Sequence, residues 1–171
     1  IGYFYGLKTK GIFQTQEEID NYVNQQGEKL MPNARPGDLI FVDSNGDGKV
    51  TFGDEDRTMI GNPNPDVIMG FNFNVAYKGL DISMTSTGAF GGQIFQSYRD
   101  WPVQTQDNFT VDILDRWRGP GTSNTVPKVY SVVTNNELYA SDRFIKNGNY
   151  WRMTNLTVGY DFKKILKNIP L

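Results

Sequence analysis

The stretch VIMGFNFNVAYKGLDISMTST, residues 67–87, decides the fold. Its odd positions Val67, Met69, Phe71, Phe73, Val75 and Tyr77 are apolar, while the even positions Ile68, Gly70, Asn72, Asn74 and Ala76 are mostly small or amide-bearing. After Lys78-Gly79 the alternation resumes, with Leu80, Ile82 and Met84 against Asp81, Ser83, Thr85 and Thr87. A period of two is that of a strand with unlike faces, and two such runs around a two-residue turn make a hairpin. Direct pairing about Lys78-Gly79 sets Val75 opposite Ile82 and Phe73 opposite Met84. It likewise sets Asn74 opposite Ser83 and Asn72 opposite Thr85.

Two further segments follow the same rule. Tyr3, Tyr5 and Leu7 alternate with Gly2, Gly6, Lys8 and Lys10; Leu156, Val158, Tyr160 and Phe162 alternate with Asn155, Thr157, Gly159 and Asp161. Trp151 and Met153 lie on the other parity, so a β-bulge, or a strand start, is expected near Thr154 and Asn155. The expected organisation is strands near 1–13, 66–77, 80–90 and 150–162, with long loops over 14–65 and 91–149. Compact soluble domains seldom join strands so unequally; outer-membrane barrels do, with short turns at one end and long loops outside the cell. By alternation alone a soluble sheet with one wet face is the first reading, since such sheets are commoner than membrane barrels.

The long loops carry local signals. Thr15 and Glu18 have capping-box spacing, Ile19, Tyr22 and Val23 form a stripe, and Gly27 can end a helix of about ten residues. Val111 to Arg118 carries Ile113, Leu114 and Trp117 on one face before Gly119-Pro120-Gly121. Both stripes read first as packing faces.

Composition removes most chemistries. The 171 residues carry 17 Lys+Arg against 19 Asp+Glu, a net charge of −2, too balanced for an electrostatic nucleic-acid binder. There is no cysteine and no histidine, so disulfides, thiolate metal sites and the commonest general base are absent. A carboxylate pair of the glycosidase kind remains, yet no spacing selects one, and no catalytic residue is expected. No apolar run approaches the roughly 18 residues of a membrane helix, which says nothing against a barrel.

The acidic segment Asp43-Ser44-Asn45-Gly46-Asp47-Gly48-Lys49-Val50-Thr51-Phe52-Gly53-Asp54 has calcium-loop spacing. Calcium takes six to eight oxygens, which alternate residues of a tight loop can turn inward. Asp43, Asn45 and Asp47 would give side-chain oxygens, Lys49 its carbonyl, and Thr51 a hydroxyl or bound water. The terminal ligand would be Asp54, Glu55 or Asp56. A polar Asn/Asp/Gly turn that binds nothing has the same composition.

These residues also carry a resemblance. GYFYGLKTKGIFQTQEEID (2–20), PGDLIFVDSNGDGKV (36–50), DRTMIGNPNPD (56–66) and YWRMTNLTVGYDF (150–162) resemble, in this order, the C-terminal part of SusC/RagA-type TonB-dependent outer-membrane transporters. The resemblance implies an all-β fold: about four strands of a large antiparallel transmembrane β-barrel of roughly 22, with long extracellular loops carrying short helices. The family register makes Asp56 the terminal acidic residue, with Phe52-Gly53 lengthening the loop.

The family's function is the import of glycans, oligosaccharides or peptides across the outer membrane of Bacteroidota. A SusD-type surface lipoprotein caps the barrel and TonB supplies the energy through a plug region absent from this chain. On this reading Val67, Phe71, Phe73, Val75, Leu80, Ile82 and Met84 face lipid; Asn72, Asn74, Asp81, Ser83 and Thr85 face the lumen. Tyr77, Tyr160 and Phe162 suit the periplasmic interface. Tyr98, Arg99, Trp101 and Trp117 in the second long loop could meet a sugar ring or the lipoprotein, or simply pack. The alternative is a secreted, calcium-stabilised β module that binds carbohydrate and must cover Phe71, Phe73, Ile82 and Met84.

Overall fold

The structure, a computed structural model, describes residues 2–96, 111–131, 134 and 139–162. In chain order its elements are β1 (Phe4–Gly6), β2 (Thr9–Ile12), α1 (Gln16–Asp20), β3 (Leu39–Phe41), β4 (Thr58–Gly61), β5 (Val67–Tyr77), β6 (Leu80–Phe90), β7 (Gln93–Phe95), β8 (Ile145–Asn147) and β9 (Tyr150–Tyr160). Short 3₁₀ turns cover Val111–Asp115 and Asp142–Phe144. The chain forms two compact units, Ile1–Asn62 with Ile94–Lys146, and Pro63–Gln93 with Asn147–Leu171.

The second unit is built on an antiparallel three-stranded sheet in the order β5-β6-β9, each strand eleven residues long. The hairpin pairs Val75 with Ile82, Phe73 with Met84, Asn74 with Ser83 and Asn72 with Thr85, the register expected from the alternation. Lys78 at φ 48° and Gly79 at φ 96° both lie in the left-handed region, as the type I′ turn requires to match the strands' twist. The expected bulge is also present. Thr85 pairs with Asn155 but Ser86 pairs with Met153, leaving Thr154 as the extra residue. The Thr154 hydroxyl donates to the Thr85 carbonyl at 3.0 Å, satisfying an acceptor at the break. Thr154→Val should therefore cost about 1 kcal/mol of sheet stability, measurable as a lower thermal midpoint of the intact parent protein.

The first unit differs from the expected long loop. Its core joins Leu7, Ile12, Phe13, Ile19, Met31, Leu39, Phe41 and Trp117, with Tyr22, Val50, Phe52 and Tyr139 packed against it. The strand expected near 1–13 is two short strands: β1 pairs with β4 and β2 with β3, outside the three-stranded sheet. The reason lies in burial. Gly6 and Leu7 are both buried, as are Ile12 and Phe13, and neighbours on a flat strand cannot share a face. The chain turns between the strands, with Leu7 N–H bonded to the Ala140 carbonyl and Thr9 Oγ1 to Asp142 Oδ1 at 2.7 Å.

The expected helices are shorter too. Thr15 caps α1 through the Glu18 N–H at 3.2 Å, but Asn21 ends it after five residues. Asn24 then accepts from the Gln26 and Glu28 N–H groups and folds a tight turn, with Gly27 inside it at φ 81°. A side chain that binds backbone in this way competes with helix.

Candidate functional site

Because directly paired residues share a face, the register assigns every side chain of the sheet to one of two surfaces. One carries Val67, Met69, Phe71, Phe73, Val75 and Tyr77 from β5, with Leu80, Ile82, Met84 and Phe90 from β6 and, between the last two, Gly88 and the buried Ser86. The bulge re-phases β9, so Trp151 and Met153 join Leu156, Val158 and Tyr160 on this apolar surface. The other surface bears Asn72, Asn74, Asp81, Ser83 and Thr85, extended by Thr87, Arg152, Asn155 and Thr157; Ile68 is its apolar exception. Phe71 and Phe73 are 48% and 43% exposed, and Leu156 and Val158 54% and 63%, so among the described residues nothing covers these side chains.

Aromatic residues mark both ends of that surface. Tyr77 and Tyr160 stand at the hairpin end, with the Phe162 ring 5.3 Å from Tyr160. Phe90 and Trp151 lie 6.3 Å apart at the far end. There the indole covers Gly88, where an added Cβ would come within 2.5 Å of it. At about 3.4 Å per residue and a tilt near 42°, an eleven-residue strand rises about 25 Å, the apolar height of an outer-membrane barrel.

In the acidic loop, Asp43 accepts from the Gly46 and Gly48 N–H groups at 2.7 and 2.8 Å. Asn45 Oδ1 accepts from Asp47 N–H and Asp47 Oδ1 from Lys49 N–H, both at 2.9 Å, so these exposed side chains cap the backbone two residues on. Asp56 is fully buried and accepts from Ser44 N–H at 2.8 Å, Asn45 N–H at 3.4 Å, Thr51 N–H at 2.6 Å and Thr51 Oγ1 at 3.1 Å. It thus joins both ends of the loop. Asp54 instead points outward to Arg57 at 2.7 Å with its side chain 92% exposed, so the inward residue is the one the family register indicates.

The Phe52 ring packs edge-on against Phe41 at 5.3 Å and stacks on Tyr139 at 5.0 Å. Tyr22 ties the loop to the core by donating to the Phe41 carbonyl at 2.8 Å. Burial, then the nearby Asp43 and Asp56 carboxylates, hold the Tyr22 phenol above its ordinary pKa.

The donor set fits calcium only in part. Asp43, Asn45 and Asp47 with the Lys49 carbonyl and Thr51 offer five groups, whereas about four lone-pair sites on Asp56 already serve four hydrogen bonds. Among the described residues, no three acidic side chains are grouped as a metal site would need.

Trp117 is 8% exposed and donates its indole N–H to Gln14 Oε1 at 3.0 Å. Gly37 and Lys128 lie against its ring, so it packs rather than offering a face to a sugar. Tyr98, Arg99 and Trp101 lie outside the described residues. Gln14, Asn124 and Asp142, which no sequence pattern singled out, organise this unit. Gln14 also accepts from Gly121 N–H at 2.8 Å and donates to Ser123 O, while Asn124 accepts from Ile12 N–H at 2.9 Å. Trp117→Phe should cost about 1 kcal/mol, seen as faster amide exchange over 119–124 in the parent protein.

An antiparallel sheet of eleven-residue strands with one apolar and one polar face and a tight turn between two of its strands is the architecture of a transmembrane barrel wall. Comparison with known proteins agrees. No family model matches, but the chain is 30% identical over 161 residues to TonB-dependent receptor P3 of Formosa agariphila, covering 94% of this chain and 15% of the receptor. It is 27% identical over 136 residues to TonB-dependent receptor SusC of Bacteroides thetaiotaomicron, covering 79% of this chain and 13% of SusC. Among solved structures, the RagAB peptide importer in its closed-closed state matches at a TM-score of 0.58 and 18% identity, over 92% of this chain and 16% of that one. The chain therefore has the sequence and fold of a barrel segment of the SusC/RagA-type TonB-dependent transporters.

Proposed function

We propose that the chain supplies part of the wall and extracellular loops of an outer-membrane importer that takes up oligosaccharide or peptide, with no bond-breaking chemistry of its own. The observation that carries this reading is the continuous apolar surface, about 25 Å tall and bounded by aromatic residues, set against a polar one. Lipid would cover Phe71, Phe73, Ile82 and Met84. Asn72, Asn74, Asp81, Ser83 and Thr85 would keep the lumen hydrated. The first unit would hold the loops that face a SusD-type lipoprotein, and TonB would act through a plug elsewhere in the parent protein. Tagged parent protein should fractionate with the outer membrane and bring the lipoprotein with it after detergent extraction. Recovery in the soluble fraction without detergent would overturn the reading.

Calcium is proposed as an occupant of Asp43, Asn45, Asp47, the Lys49 carbonyl and Thr51, with water completing its shell. Two carboxylates and neutral oxygens imply weak binding, about 0.1 to 1 mM. Calcium at 10 mM, roughly ten times that range's upper end, should raise the melting temperature of the parent but not of its Asp47→Asn variant; equal shifts would refute the site.

A further inference from the structure

Apart from the apolar sheet and the acidic loop, the first unit contains a cavity of about 600 Å³, within the range of small-molecule sites. Lys10 from β2 and Lys146 from β8 line it, together with Asp112 and Asp115 from the 3₁₀ turn at Val111–Asp115, Asp142, which accepts from Thr9, and Arg143. Residues three apart eclipse in a 3₁₀ turn, so the two aspartates stand one above the other. Val126 and Phe144 add apolar lining.

Lys10, Lys146, Asp112 and Asp115 are exposed, and among the described residues none of these four forms an ion pair. With Asp142 and Arg143 the lining carries three charges of each sign; the four exposed ones, carried by separate elements, match a ligand that itself carries both signs. A neutral oligosaccharide would leave all four uncompensated, and the one aromatic ring in the described lining, Phe144, is itself buried and gives a sugar little to stack on.

We propose that this cavity is a subsite for short zwitterionic peptides, the α-ammonium group lying against Asp112 and Asp115 and the carboxylate against Lys10 and Lys146. The inference rests on the import reading and names the substrate class that reading leaves open. Exposed charge pairs contribute modestly each and are screened by salt, so the binding should be loose and weaken as ionic strength rises.

The test is calorimetric titration of the full-length transporter in detergent at low salt, with tetra-alanine, its N-acetylated and C-amidated form, and maltotetraose. Free tetra-alanine should bind about fivefold tighter than the capped form, the factor two exposed pairs supply. The Lys10→Met/Lys146→Met and Asp112→Asn/Asp115→Asn double variants should each reduce that preference. Equal binding of free and capped peptide, maltotetraose binding more tightly than either, or variants that keep the full preference would overturn the subsite. If no probe binds a transporter that sits in the outer membrane with its lipoprotein, the subsite falls and the import reading stands. A parent absent from the outer membrane fails that reading, and the titration then judges the cavity alone.

Discussion

Phe73→Arg should lower the stability of the assembled barrel by about 2–4 kcal/mol, whereas Asn74→Arg, one residue on, should change it far less. Phe73 lies near the middle of β5 on the apolar surface and pairs with Met84; Asn74 lies on the polar surface and pairs with Ser83. An arginine in hydrocarbon must keep its charge hydrated by thinning the bilayer or bending outward, and mid-strand it has the farthest to reach. In a water-filled lumen the same side chain is solvated at little cost. Folding titrations of the two parent variants in lipid vesicles would check this; equal losses would contradict the assigned faces.

Asp56→Ala should destabilise the acidic loop by about 3 kcal/mol, because the Ser44 and Thr51 N–H groups lose a buried charged acceptor at 2.8 and 2.6 Å. Asp54→Asn should stay within about 0.5 kcal/mol, since that side chain is nearly all in solvent and its pair with Arg57 is a surface pair. Hydrogen exchange in the parent separates the two: amides 44–51 should lose protection in the first variant and keep it in the second. Comparable losses would make the loop's closure independent of Asp56.

The sheet was readable from sequence because its faces differ at nearly every step. Phe73 and Asn74 cannot exchange faces without placing amides on the apolar surface, so the pattern fixes the register to the residue. The bulge was legible for the same reason: Trp151 and Met153 could join Leu156 only if Thr154 were extra. Around residues 1–13 the alternation misled, since Gly6-Leu7 and Ile12-Phe13 are buried as adjacent pairs by contacts with residues far along the chain. No local period encodes that. In the acidic loop the turn-forming positions were visible, but spacing alone favoured Asp54. Asp56 is held inward by the Ser44, Asn45 and Thr51 donors, contacts that motif spacing does not specify. The organisers Gln14, Asn124 and Asp142 act across more than a hundred residues of sequence and left no local trace.

In the assembled barrel the odd positions of β5 should meet lipid and the even ones water. The chain contains no cysteine, so single cysteines can be placed at Phe71, Asn72, Phe73, Asn74 and Val75 in a parent freed of any others and spin-labelled in reconstituted membranes. Collision rates with oxygen, which concentrates in lipid, should peak at 71, 73 and 75, and those with a water-soluble nickel chelate at 72 and 74. Uniform access of the chelate to all five positions would contradict a membrane wall.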